Sequence, residues 1–328
     1  QRIDPSIQGE RFRLGSADLL YNDDLTKWRR FANSLRLRLA MRVAEAAPDL
    51  AREHVNDAFA GGLMQSLDDS ALRPTSEEGQ FITQNPLSIL YGFNDDRISE
   101  TLVDTLRALD DPRLPVYADT IATFGIRQDT LAFRGLPNGL SGGTLSGIQA
   151  FEYSRLGPQL RRPDAPVPVM RYAETKFLQA EAALRGWGSG SAQEHYEEGV
   201  RASLMAYDVP TAARDDYLSQ SGVAWNAGGS GAAKLEQIIT QKWIALFSQG
   251  LELWAEYRRT GYPTLQPIPT DGQTGGAVPS RMLYPNVERT TNTQNVEDAA
   301  EQIGGDAMTT DLWWDQERSD LVRPDGSE

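Results

Sequence analysis

The sequence predicts a mainly α-helical protein, built from helical hairpins that are joined by long irregular loops and a few short strands. Residues 170–207 place apolar side chains at three- and four-residue steps on both sides of a glycine-rich break. Similar spacing recurs at two other places in the chain. Between these segments, stretches rich in glycine and proline lose the helical period, which is typical of loops.

The clearest hairpin is predicted over residues 170–207. Its first helix ends at the break Gly186–Ser191, because glycine after the last periodic residue favours a helix stop. Ser191 is followed three residues later by Glu194, and this spacing fits a capping box at the start of a second helix. The segment therefore predicts two helices that pack against each other across a tight turn.

Small and large residues alternate in this hairpin in a pattern that resembles a tetratricopeptide repeat. Phe177 and Tyr196 supply bulk, whereas Ala180, Ala192 and Gly199 allow the two helices to approach closely. An ordinary pair of packed helices explains one such segment equally well. Related patterns near residues 24–60 and 235–260 favour three stacked hairpins that share one core.

The first long helix is predicted over residues 25–47, after capping side chains at Asn22, Asp23 and Asp24. Its apolar residues form one seam that we expect to face the core: Leu25, Trp28, Ala32, Leu35 and Leu39. Across the three hairpins, the residues predicted to be buried in the core rather than in contact with a ligand are Trp28, Leu35, Phe177 and Trp243. A short β element is predicted around residues 117–133, where β-branched and aromatic residues cluster.

Composition excludes several classes of function. The 328 residues carry a formal net charge of -14, with an isoelectric point near 4.7. Binding to nucleic acid or to an anionic membrane surface needs clustered lysine and arginine, so neither partner is predicted. The sequence has no cysteine, which excludes disulfides and thiolate chemistry. It also has no apolar run of the length needed to cross a membrane.

The search for a catalytic centre or a metal site is negative. There are two histidines, His54 and His195, and they lie far apart in the sequence. No phosphate-binding loop, dinucleotide fingerprint, zinc-protease motif or nucleophile elbow occurs. We therefore predict no enzyme activity, no catalytic residue, no cofactor and no metal site. Counting carboxylates alone leaves a glycosidase with paired acids as an alternative.

Residues 17–42, ADLLYNDDLTKWRRFANSLRLRLAMR, resemble the signature of the SusD/RagB family, A-D-x-x-Y-x-G-D followed by K-W-x-K-F-A-N-S-L-x-L-R. Further motifs of that family follow in the same order: Asn85-Pro86; Asp111-Pro112-Arg113-Leu114; Gly135 to Gly139; Tyr172-Ala173-Glu174; Gln241-Lys242-Trp243; Trp254, with Arg258 to Pro263; and Leu312-Trp313-Trp314-Asp315. The likeness extends over nearly the whole chain. One departure is Asp23, where the family often has glycine.

The resemblance implies a cell-surface lipoprotein of the outer membrane in Bacteroidota-type bacteria. Such proteins bind oligosaccharide, or in some members peptide, and deliver it to a SusC-like TonB-dependent transporter. It also implies that residues 1–328 form a single SusD-like domain, the C-terminal portion of a longer family chain. The lipid-bearing N-terminal cysteine of the family is not in this sequence, so we expect membrane attachment only through a part of the protein not present here.

Sugar recognition needs aromatic faces that stack on the ring, with planar polar side chains that bond to its hydroxyls. Loop segments with both types define the predicted ligand-binding residues: Tyr91, Phe93 and Asn94; Phe133, Arg134 and Asn138; and Trp225 with Asn226. The alternative is that these loop aromatics only fill gaps in the scaffold. A protein-binding scaffold without a small-molecule site is a further alternative. Trp313 and Trp314 are predicted to hold the C-terminal tail on the core.

Overall fold

The structure is a computed structural model that describes residues 13–78, 83–94, 96–121, 133–140, 147–265, 272 and 274–315. Most of these residues are helical, which confirms the predicted fold class. The α-helices are α1 (Leu25–Arg42), α2 (Pro48–Gly61), α3 (Pro86–Gly92), α4 (Glu100–Ala108), α5 (Leu114–Tyr117), α6 (Tyr172–Leu184), α7 (Ala192–Met205), α8 (Thr211–Ser219), α9 (Gly231–Ala245), α10 (Gly250–Thr260), α11 (Asn286–Thr291) and α12 (Thr293–Gln302). None of the helices in the described part has the length and apolar character needed to cross a bilayer.

Helix α6 is the centre of the fold, because α1, α7 and α9 all pack against it. Phe177 is fully buried at 0% exposure, as predicted. A Cβ atom added to Gly199 of α7 would lie 2.9 Å from the Phe177 ring, closer than side chains pack. Glycine at this position therefore lets the two helices approach each other.

The starts of two helices match the predicted capping residues. The Ser191 side chain accepts a hydrogen bond from the Glu194 amide at 3.1 Å, and Asp24 accepts bonds from the first amides of α1. Asp23 has a φ of +66°, a left-handed conformation in which glycine costs least. The Asp23 carboxylate accepts a hydrogen bond from the Leu14 amide at 3.1 Å, which stabilises this turn.

Strands β1 (Ala71–Arg73) and β2 (Val167–Met170) form one short antiparallel pair. They are the strands found within the described residues, in line with the expectation of a few short strands. Most of the β element predicted around residues 117–133 falls at 122–132, outside the described residues.

The predicted apolar seam of α1 is wrong. Leu39 is 61% exposed, Leu25 and Ala32 are also exposed, and Trp28 and Leu35 are only half-buried. The helix instead buries Ser34, Leu37, Arg38, Ala40 and Met41. Polar partners explain this orientation. The Ser34 hydroxyl accepts a hydrogen bond from the Met64 amide at 3.0 Å, and Arg38 donates to the Glu174 carboxylate of α6.

One further correction concerns the predicted core. Trp28, Leu35 and Trp243 are half-buried, so among the predicted core residues only Phe177 is fully enclosed. Trp28 nevertheless has a structural role, since its indole nitrogen donates to Asp18 at 2.7 Å and its ring meets Tyr21 edge-on.

A network of buried ion pairs joins α1, α6, α9 and α10. Arg38 lies 2.6 Å from Glu174, and Arg259 lies 2.6 Å from Glu181 and 2.7 Å from Glu256. In the described residues, the cations of this network are Arg38, Arg42, Arg185, Lys242 and Arg259, and its carboxylates are Glu45, Glu174, Glu181, Glu252 and Glu256. The positive and negative groups balance, which buried charges require.

The network changes how its carboxylates titrate. Burial alone would raise the pKa of Glu181, but Arg259 and Arg185 lower it below its usual range. Burial alone would also raise the pKa of Glu256, but Arg259, Lys242 and Arg42 lower it well below its usual range. Both carboxyl groups are therefore charged in the folded protein at neutral pH.

Replacing Arg259 with methionine should destabilise the protein by about 3–5 kcal/mol, because two buried carboxylates would lose a partner. Urea unfolding followed by circular dichroism measures the change. The control is Arg52→Met, which removes a solvent-exposed pair with Asp49 and should cost about 0–1 kcal/mol. Equal losses in the two variants would contradict the structural role of the network.

The lowered pKa values of Glu181 and Glu256 predict loss of stability in acid. Their stabilising effect is complete above the unfolded-state pKa, near 4.5, and is lost as the pH falls through the folded-state values. The free energy of unfolding should therefore fall below about pH 4.5. Urea titrations of the wild type and of Glu256→Gln test this, since the variant should show a weaker pH dependence. Identical dependence would assign the acid lability to other groups.

Candidate ligand-binding site

Three loop segments, residues 96–99, 133–138 and 153–157, lie side by side and form a frame. The Ile98 amide donates to the Ser154 carbonyl at 2.9 Å, and the Leu136 amide donates to the Ile98 carbonyl at 2.7 Å. A Cβ atom on Gly135 would lie 2.2 Å from the Glu100 Cα atom, so only glycine permits this close contact. The frame brings two of the three predicted loop clusters into one region.

Asp96 connects this frame to the end of α3. Its buried carboxylate accepts hydrogen bonds from the Leu156 amide at 2.8 Å and from Arg155 Nε at 3.0 Å. The Arg155 guanidinium also donates to the Tyr91 carbonyl and lies 3.6 Å from the centre of the Tyr91 ring. The turn after α3 is therefore fixed against residues 153–157.

A cleft of about 400 Å³ opens beside this frame. Its volume lies within the range of about 300–1,000 Å³ that small-molecule sites occupy. The lining residues come from the turn after α3, the chain after α5 and the segment around a short 3₁₀ turn: Asn94, Arg97, Asp119, Thr120, Ile121, Ala150, Phe151, Tyr153 and Arg155. We call it the Phe151 cleft.

Two aromatic rings near the cleft are open to solvent. Phe151 is 63% exposed in its lining, and Phe93, beside Asn94, is 65% exposed. Arg97 fixes the backbone next to Phe151, because its Nε donates to the Ala150 carbonyl at 2.7 Å. An exposed ring beside planar amide and guanidinium groups is the combination that binds a sugar by stacking and hydrogen bonding.

Charges around the cleft are largely paired. Arg155 lies 2.5 Å from Asp96, Arg161 lies 2.7 Å from Asp119, and Arg134 lies 3.2 Å from Glu152. Each of these pairs is neutral, and Arg97 adds a further positive charge to the lining. No cluster of His, Asp or Glu suited to a metal ion occurs in the part of the chain that the structure describes.

The predicted site residues near this cleft differ in their surroundings. Tyr91 is half-buried beneath Arg155 and Arg161, whereas Asn94 lines the cleft. Arg134 is exposed, with its guanidinium 4.7 Å from the centre of the Tyr153 ring. Phe133 packs against the cluster of apolar side chains under α4. The Asn138 amide donates to the Thr101 hydroxyl at 2.9 Å.

The third predicted cluster lies elsewhere. Trp225 and Asn226 line a separate cavity beside α9, which shares no lining residue with the Phe151 cleft. Trp225 is half-buried, and its ring centre lies 5.4 Å from that of Tyr196. The structure therefore divides the predicted residues between two places.

Sequence reasoning missed several residues that line the cleft: Arg97, Asp119, Phe151, Tyr153 and Arg155. The criterion of aromatic and planar polar residues in loop context also fits residues 149–155, QAFEYSR, so it could have identified Phe151. The ion pairs that bring Arg155 and Asp119 to the site have no local signal in the sequence.

The C-terminal tail contacts α10 through one of its two tryptophans. The Arg258 guanidinium lies 4.0 Å from the Trp254 ring centre and 4.6 Å from that of Trp314. Trp314 thus holds the tail as predicted, whereas Trp313 is exposed and does not.

Comparison with known proteins identifies the family. The family model described as SusD-like, starch-binding associating with outer membrane, matches residues 3–285. The chain belongs to the SusD-like family. SusD-like proteins are carbohydrate-binding and non-catalytic, which supports the prediction that the chain is not an enzyme and removes the glycosidase alternative. Among curated proteins, none is significantly similar to the sequence.

Solved structures of SusD homologues share the fold. A chitin-binding protein is 34% identical, with a TM-score of 0.79 over 91% of this chain and 67% of its own. A chitin-binding SusD homologue from Flavobacterium johnsoniae is 32% identical, with a TM-score of 0.79 over 92% of this chain and 66% of its own. A SusD homologue from Bacteroides thetaiotaomicron is 29% identical, with a TM-score of 0.82 over 95% and 70%. The chain thus spans about two thirds of the length of these relatives.

Proposed function

We propose that the protein binds oligosaccharides at the Phe151 cleft. The observation that supports this most directly is the exposed Phe151 ring beside Asn94 and Arg97, on a frame that hydrogen bonds and ion pairs hold rigid. Rigid aromatic platforms lose little conformational entropy when a sugar stacks on them. Membership of a family of carbohydrate-binding proteins agrees with this assignment.

The proposed ligand is a neutral glycan, with chitin oligosaccharide as the first candidate. Three arginines around the cleft, Arg134, Arg155 and Arg161, are each paired with a carboxylate, which weakens their attraction for an anionic sugar. Two relatives that are 34% and 32% identical are described as chitin-binding. Within the site, Phe151 and Phe93 would stack on sugar rings, and Asn94, Arg134 and Asn138 would bond to hydroxyl or acetamido groups.

Tyr91 and Phe133 have a supporting role in this proposal. Two arginines lie over the Tyr91 ring, so Tyr91 acts by positioning Arg155 at the cleft wall. Phe133 anchors the segment that carries Arg134 and Asn138.

The cellular role extends from the family description, starch-binding associating with outer membrane. In this proposal, the longer protein is lipid-anchored at the cell surface and delivers its glycan to a SusC-like TonB-dependent transporter. Glycan or peptide delivery of this kind requires no catalytic residue and no cofactor in the binding protein.

Phe151→Ala should weaken binding of chitohexaose by about 1–3 kcal/mol, because one stacking ring is lost. Isothermal titration calorimetry measures the affinity, and the melting temperature should barely change since Phe151 is mostly exposed. Trp313→Ala is the matched control, because it removes another exposed aromatic ring outside the cleft. Unchanged affinity in Phe151→Ala would remove the cleft as the site.

Affinity purification of the full-length protein from outer membranes should recover a large β-barrel protein. The motivation is the family assignment, and mass spectrometry of the recovered proteins identifies the partner. An unrelated surface lipoprotein purified in the same way is the control. Recovery of the protein without any such barrel would contradict delivery to a transporter.

A further inference from the structure

A second cavity, which we call the Trp225 pocket, lies between helix α9 and the loop of residues 221–226. Its volume is about 660 Å³. That volume falls within the range of about 300–1,000 Å³ typical of small-molecule sites. Among the residues that the structure describes, none lines both this pocket and the Phe151 cleft.

One wall of the pocket is a single face of a helix. Ala233, Gln237 and Thr240 follow one another at four- and three-residue steps along α9, with Glu236 beside them. Residues at such steps project from the same side of a helix, so their positions are fixed by the backbone. Leu109, at the end of α4, contributes an apolar contact.

The opposite wall is a loop that hydrogen bonds hold in place. Gln237 Nε2 donates to the Ala224 carbonyl at 2.8 Å, and Gln237 Oε1 accepts from the backbone amide of Asn226 at 3.1 Å. The Tyr196 hydroxyl donates to the Val223 carbonyl at 2.6 Å. These contacts keep the Trp225 ring in position before any ligand binds, which lowers the entropic cost of binding.

Some of the polar side chains that line this pocket are hydrogen-bonded within the protein, and others are not. Gln241 is engaged, since it accepts from Arg113 at 2.8 Å and donates to Tyr217 at 2.8 Å. Within the described residues, the side chains of Ser221, Asn226 and Thr240 have no hydrogen-bond partner. These two hydroxyls and one amide supply both donors and acceptors.

Glu236 supplies the formal charge among the lining residues. One of its oxygens accepts a hydrogen bond from the Thr264 hydroxyl at 3.0 Å. Its carboxylate can accept bonds from ligand hydroxyls but repels a second carboxylate. The pocket therefore disfavours acidic sugars.

We propose that the Trp225 pocket is a second saccharide site that takes one or two rings of a neutral sugar, independently of the Phe151 cleft. The ligand class rests on the proposed glycan-binding function. Trp225 supplies an aromatic surface for one ring, and Thr240, Ser221 and Asn226 bond to its hydroxyls. Glu236 sets the preference for uncharged sugars.

The test is fluorine NMR on protein labelled with 5-fluorotryptophan. The sequence has seven tryptophans, and Trp225→Phe assigns the Trp225 signal by its loss. All seven tryptophans are among the described residues and none of them lines the Phe151 cleft, so binding there should leave this signal unmoved. Titration with N,N′-diacetylchitobiose should shift the Trp225 signal with saturation.

Conservative variants report on the polar contacts. Thr240→Val keeps the shape of the side chain and should weaken the sugar-dependent shift of Trp225 about three- to tenfold, as loss of one hydrogen bond does. Phe151→Ala should leave the Trp225 titration unchanged. A disaccharide that contains glucuronic acid should fail to shift the signal.

Three results would overturn the proposal: no shift of Trp225 at sugar concentrations that saturate the wild-type protein in calorimetry; loss of the shift in Phe151→Ala; or an equal response to the glucuronate disaccharide. A different result is expected if the Phe151 cleft does not bind the glycan. In that case Phe151→Ala would keep the full calorimetric affinity, while the Trp225 signal would still titrate and would still depend on Thr240.

Discussion

The buried ion pairs between α1, α6, α9 and α10 are the constraint on which the arrangement of the helices depends. Each of these groups is costly to remove from water, and the cost is offset only when an opposite charge lies at hydrogen-bond distance. Arg38 and Arg259 reach α6 from two different helices, so small rotations of either helix would separate charges.

Sequence reasoning predicted the elements with local determinants and failed where the buried ion pairs decide the orientation of a helix. The pair α6 and α7 could be predicted because its determinants are local. Its apolar period is clear, Ser191 caps the second helix, and Gly199 meets the Phe177 ring. Helix α1 could be located by the same logic, but its buried face could not. An arginine in a helix pattern indicates solvent unless its partner is known, and Glu174 lies 136 residues from Arg38.

The candidate site shows the same division. Of the residues selected by loop context and residue type, Asn94 lines the Phe151 cleft, and Arg134 lies over the Tyr153 ring of its lining. That these residues bind a ligand stays a prediction. The juxtaposition of those loops depends on Asp96 and Arg155, which are 59 residues apart and carry no shared local pattern. Trp225 satisfied the same criterion as Tyr91, yet Trp225 lines a cavity whereas the Tyr91 ring is covered by Arg155. Residue type and loop context therefore indicate the kind of side chain expected at a site, but they do not show which of those side chains the fold brings together.

Gly135 and Gly157 set the distance between the loop frame and the helices beneath it. Their missing side chains allow the backbone to touch Glu100 and Val116, and any larger residue would push the frame outward. The short segment that carries Phe151 lies beyond these two contacts and is exposed. Replacement of the exposed side chains of this segment would leave these two backbone contacts unchanged, so the surface chemistry of the cleft can vary without refolding any helix.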